Sequence, residues 1–177
     1  MKRPLPADDV DVMTPKVLVA GIGNILLGDD GFGVEVVKRL TVEPLEDGVE
    51  VADFGVRGAH LAYELADKKY DAVILVDAAP RGGTPGSLYA IEPEADDGEP
   101  EVNGDPHGMT PSAVLRWLRR IGGHSGRVVV VGCEPASLDE AMGLSEPVAA
   151  SVSGAVKMIR SLVAELRAGS GELIAES

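Results

Sequence analysis

The stretch KVLVAGIGNILLGDDGFG, residues 16–33, decides the fold. Lys16 to Ile22 is a short, continuous apolar run broken by glycine, the pattern of a strand buried on both faces. From Asp29 or Asp30 to Leu40 the period changes. Phe32, Val36, Val37 and Leu40 share one helical face, and the two aspartates sit where a helix N-terminus favours negative charge. A buried strand that turns through glycines directly into a helix is the opening unit of an α/β sheet.

The rest of the chain repeats that unit. Val49 to Phe54 alternates as a second strand, and Ala59 to Lys68 is a short helix with Leu61 and Leu65 at i, i+4. Ala72 to Val76 (AVILV) is another buried strand, closed by Asp77. The next connection, Pro80 to Gly86, is too short and too rich in Pro and Gly for a crossover helix. Ser87 to Ile91 is therefore predicted as a strand antiparallel to its predecessor, at a sheet edge. Glu92 to Glu101 has six acidic residues in ten and no apolar period, so it reads as a loop. Thr110 caps a helix with Pro111 at its first position, running to about Ile121. Arg127 to Val131 is a fifth strand, and Ser145 starts a last helix through Val148, Val152, Val156, Ile159 and Val163. The predicted architecture is a three-layer α/β sandwich: a five-stranded, mostly parallel twisted sheet with one antiparallel edge strand, flanked by helices. It forms one domain over residues 16–167, with flexible tails at 1–15 and 168–177.

Bulk properties narrow the function. At 177 residues the chain suits a single core. Aromatics make up only 3%, so that core must be built from Val, Leu, Ile and Ala. The net charge of −13 argues against nucleic acid and anionic membrane surfaces as partners, because phosphates need clustered Lys and Arg, and leaves a basic partner open. Cys133 is the single cysteine, which leaves no disulfide and no cysteine-cluster zinc site; it reads as a buried structural thiol. Met1 to Thr14 carries Asp8, Asp9 and Asp11 where a signal peptide would be apolar, and no apolar run approaches the ~20 residues of a membrane span. The expectation is a soluble, cytoplasmic protein.

Ligands of open α/β sheets collect at the carboxyl ends of the strands. Three candidate metal ligands fall there: Asp30 after the first strand, Asp77 at the end of the third, and His107 before the third helix. His107 comes into reach because an antiparallel fourth strand ends at the bottom of the sheet, and the acidic loop must carry the chain back up. Two carboxylates and an imidazole suit a borderline divalent ion such as nickel or zinc. Each also has a plainer reading: Asp30 as a complement to a helix dipole, Asp77 as a turn residue, His107 as an exposed loop histidine. His60 and His124 read as solvated. Other meanings of the glycine-rich segment fail on spacing. Leu26 stands where a dinucleotide loop needs its third glycine, and neither G-x-S-x-G nor G-x-x-x-x-G-K-[ST] occurs. Asp29 and Asp30 point about 100° apart on a helix start, so they do not form an aspartic dyad.

The pattern GIGNILLGDDGFG after the first strand resembles the hallmark of the hydrogenase maturation endopeptidases. The similarity continues through Asp53 to Gly58, VILVDA ending at Asp77 and Ala78, Pro106-His107, and VGCEPASLDEAMGLSEPV from Val131 to Val148. The resemblance implies an aspartic-type endopeptidase that removes the C-terminal extension of a nickel–iron hydrogenase large-subunit precursor after nickel insertion, and so activates that enzyme. It implies that Asp30, Asp77 and His107 are both the metal-contacting and the catalytic set. The nickel would be supplied by the substrate, the precursor would be the one partner, and the enzyme would be a monomer. Arg57, where many relatives have glycine, and a longer acidic loop depart from the family pattern and bear on the substrate surface.

Overall fold

A computed structural model describes residues 14–93 and 110–172. The chain forms β1 (Val17–Ile22), α1 (Phe32–Val42), β2 (Val49–Gly55), α2 (Gly58–Lys68), β3 (Ala72–Ala78), β4 (Leu88–Ile91), α3 (Pro111–Arg120), β5 (Arg127–Cys133) and α4 (Glu146–Glu172). The sheet order is β2-β1-β3-β5-β4, all parallel except β4, which pairs antiparallel with β5 at the edge. The predicted α/β architecture is the observed one.

Period-2 alternation sorts the strand side chains into two cores. Val17, Val19, Ile74 and Val76 face α1 and α4, meeting Phe32, Val36, Leu40, Val152, Val156 and Ile159. Leu18, Ala20, Ile22, Val73 and Leu75 face α2 and α3, meeting Leu61, Leu65, Val114 and Leu118. Thr110 caps α3 as expected, its Oγ1 accepting the Ala113 amide at 3.2 Å, with Pro111 in the first turn. Cys133 is buried, with its sulfur 3.2 Å from the Ser151 hydroxyl.

Two boundaries differ from expectation. The first helix does not begin at the aspartates: Gly28–Gly31 is a 3₁₀ turn, and α1 starts at Phe32. The tighter turn drops the helix start onto the sheet. A Cβ on Gly33 would collide with the Val76 carbonyl and lie 2.6 Å from the Ile22 carbonyl oxygen, so only glycine permits that approach. The last helix continues to Glu172, past the expected end near Ala168. Leu166 is still buried there, and Arg167 reaches across to Glu46 and the Asp47 carbonyl.

Asp29 has a role that dipole complementation does not describe. Its buried carboxylate accepts the Ala136 amide at 2.8 Å, the Ser137 amide at 3.2 Å, and both the Ser145 amide (2.7 Å) and hydroxyl (2.8 Å). A parallel bridge between Leu27 and Ala141 runs beside these bonds. One side chain therefore clips the loop after β5, and the start of α4, to the turn after β1. Burial pushes the Asp29 carboxyl up, but the hydrogen bonds from Ser145, Ala136 and Ser137 outweigh it and hold the group below the usual range. A lowered carboxyl contributes stability that is present above its unfolded value near 3.8 and is lost as pH falls through the folded value. We expect Asp29→Ala to cost roughly 3 kcal/mol at pH 7, measured by urea denaturation, with the deficit shrinking below about pH 4. An unchanged midpoint at pH 7 would show that the clip is dispensable.

Candidate active site

The site is built where β1 and β3 end. Gly23, immediately beyond β1, has φ +129° and lies under the turn that follows. A Cβ there would overlap the Asp30 carbonyl and sit 3.3 Å from Asp77 Oδ1. The backbone at Gly23 is thus the spacer that lets Asp30 and Asp77 share one small region. Asp30 Oδ2 accepts the Asn24 amide at 2.7 Å, which fixes the carboxylate, while Asn24 Oδ1 accepts the Leu26 amide at 2.9 Å to brace the turn.

The two carboxylates differ in depth. Asp30 is half-buried; burial raises it above the usual carboxylate range, opposed in part by the Asn24 amide. Asp77 is only 4% exposed and is pushed well above the usual range, by burial first and then by the negative charge of Asp30. Its Oδ1 is buried without a hydrogen-bond partner among the described residues. An uncompensated buried carboxylate next to a like charge is costly, and it is relieved by a proton or by a cation. Oxygen donors of this kind fit a divalent metal.

Of the three candidate ligands, Asp30 and Asp77 come together, and Asp29 turns away. His107 lies outside the described residues, within which no group of three or more His, Cys, Asp or Glu is arranged to hold a metal. His60 and His124 are exposed, as expected. Arg57 is spent on its own turn, donating from Nη2 to the Asp53 carbonyl at 2.6 Å and lying 6.0 Å over the Phe54 ring.

Asp77 also lines a cleft of about 630 Å³, bounded by Arg81, Ile91, Val130 and the start of α3 at Thr110–Ser112. The wall at Arg81 is set by a residue that the sequence reading passed over. Glu134, buried just after β5, accepts the Arg81 amide at 2.8 Å, the Gly82 amide at 3.2 Å and the Tyr89 hydroxyl at 3.2 Å. Its one sequence signal is a charged residue closing a strand that is otherwise apolar after Arg127.

Comparison with known proteins gives the family. A family model described as hydrogenase maturation protease matches residues 34–162. That match begins four residues after Asp30, so the placement of Asp30 rests on the geometry above. A putative hydrogenase maturation protease of Methanocaldococcus jannaschii is 36% identical over 146 residues, covering 81% of this chain and 93% of the relative. The hydrogenase 2 maturation protease of Escherichia coli is 31% identical, covering 85% and 92%. Among solved structures, the hydrogenase maturating endopeptidase HybD from E. coli superposes with a TM-score of 0.70 at 30% identity, covering 85% of this chain and 93% of that one. A NiFe hydrogenase maturation protease from Thermococcus kodakarensis gives 0.68 at 27% identity, covering 88% and 97%. The chain belongs to the hydrogenase maturation protease family and is a peptidase.

Proposed function

We propose that this peptidase removes the C-terminal extension of a nickel–iron hydrogenase large-subunit precursor once nickel has been inserted, and that Asp30, Asp77 and His107 read the substrate's nickel. The observation that carries the reading is the buried, unpartnered Oδ1 of Asp77 beside Asp30. The other buried carboxylates among the described residues, Asp29 and Glu134, are surrounded by donors. Asp77 alone keeps its oxygen free, and a cation is the ligand such an oxygen lacks. Thr110, which lines the same cleft, follows His107 by three residues, a span of at most about 11 Å of chain.

Two carboxylates and one imidazole form an incomplete shell, which holds a free ion weakly but shares one that a partner already ligates. Cleavage then tests metallation. The substrate's nickel would polarise the scissile carbonyl, or Asp30 or Asp77 would act as base on the attacking water. The cation must displace any proton on Asp77, so precursor binding weakens as pH falls into the raised range of that group. Action as a cytoplasmic monomer belongs to the same proposal; no helix among the described residues is long and apolar enough to cross a membrane.

Mass spectrometry of a precursor incubated with and without nickel tests the reading. We expect loss of the C-terminal tail only with nickel. Asp30→Ala and His107→Ala should each slow processing more than about a hundredfold, with circular dichroism unchanged. Normal processing by both variants would remove the assignment, and trimming of unrelated peptides would remove the specificity.

Asp77 links activity to stability with a definite sign. Its carboxyl is raised in the folded state, so stability falls as pH rises from the unfolded value near 3.8 towards the folded one. Asp77→Asn is therefore expected to abolish processing while raising the melting temperature at pH 7 by about 2–4 °C, a gain that fades towards pH 4. A lowered melting temperature at pH 7 would contradict the electrostatic cost assigned to Asp77.

A further inference from the structure

The cleft that begins at Asp77 carries one cationic side chain among the described residues that line it, Arg81. In a chain of net charge −13 this guanidinium has no carboxylate partner within ion-pair distance among the described residues. It is nonetheless held in place. The guanidinium lies 5.7 Å over the Tyr89 ring, and the amides of Arg81 and Gly82 are pinned by Glu134. The same turn is closed by the Gly86 amide on the Glu134 carbonyl at 2.8 Å and the Ser87 amide on the Thr84 carbonyl at 3.0 Å.

The charge of Glu134 is thus taken up by the backbone amides of Arg81, Gly82 and Gly83 and a phenol, which leaves the guanidinium available. The turn fixes the base of a long cationic side chain and presents its head to the cleft rim, the kind of preorganisation that recognition uses. The beginning of α3 forms the facing wall and adds the partial positive charge of a helix start. Among the described residues the cleft is therefore polarised, with a nine-tenths buried carboxylate oxygen that has no hydrogen-bond partner at one end and an arginine outside any ion pair at the other.

We propose that Arg81 is a specificity-determining residue that pairs with an acidic side chain of the precursor, in the segment flanking the scissile bond. Arginine suits this role because its planar fork accepts a carboxylate in two parallel hydrogen bonds. Position follows from the chain. Arg81 is four residues from Asp77, so their Cα atoms are at most about 14 Å apart, and the substrate acid falls within about five residues of the cut. This assignment rests on the proposed function, since it takes the precursor to cross the cleft with its nickel at Asp30 and Asp77.

Steady-state cleavage of the nickel-loaded precursor by wild type, Arg81→Glu and Arg81→Lys tests it. The substrates are the wild-type precursor and variants in which each Asp or Glu within five residues of the cut is replaced by Lys. Arg81→Glu should raise KM about tenfold with kcat changed less than about threefold, and Arg81→Lys should stay closer to wild type. One acid→Lys precursor should be poor for wild type and restored with Arg81→Glu, an exchange that a merely structural arginine would not produce. An unchanged KM for Arg81→Glu, a loss that no precursor variant restores, or a precursor with no acid in that window would overturn the role of Arg81 and leave the peptidase reading intact. A wild-type enzyme that leaves the nickel-loaded precursor uncut would overturn both.

Discussion

Helix α1 can start where it does only because Gly33 brings its backbone against the carbonyl groups of Ile22 and Val76, the last turns of two neighbouring strands. That contact allows no side chain, and it fixes how far the chain may rise before turning back. The connection from β1 must then be completed within nine residues, 23–31, using the positive φ of Gly23 and a 3₁₀ turn. Within so short a path Asp29 and Asp30 cannot both face the cleft. One is driven down into the loop after β5 and the other is left over Asp77. Close packing at a single glycine thus sets the composition of the site.

The buried acids show how one chemical group acquires different meanings from its neighbours. Asp29 and Glu134 are each surrounded by amide and hydroxyl donors, and their charges organise loops distant in sequence. Asp77 is equally buried and has almost none of that support. A satisfied carboxylate stabilises the fold, whereas an unsatisfied one is a standing cost that persists where function requires it. The two satisfied acids hold the walls between which the unsatisfied one operates.

Much of this was legible in the sequence, for reasons that differ by element. The strands were readable because burial on both faces demands unbroken Val, Leu, Ile and Ala, as in Ala72–Ala78. The antiparallel β4 followed from a connection too short to cross the sheet, and the N-cap of α3 from Thr110 and Pro111. The placement of Asp30 and Asp77 at the ends of neighbouring strands was readable from where the apolar runs stop. The work of Asp29 was not, since its partners Ala136, Ser137 and Ser145 lie more than 100 residues away and nothing local distinguishes it from Asp30. Glu134 and Arg81 escaped for the same reason: their pairing spans 53 residues and appears only when β5 is laid beside β3.

The position of β2 at one margin of the sheet has its own effect on how the molecule meets copies of itself. Among the described residues its outer side has no neighbouring strand, so its peptide groups offer a template for another chain. Glu50 and Asp53 stand exposed along it. A second copy approaching edge to edge would bring the same two acids against them, in a chain already strongly negative. Like charges set opposite one another disfavour such a pairing, although Glu50 is shared with Lys68 and the Tyr70 hydroxyl, so Asp53 is the less compensated of the two.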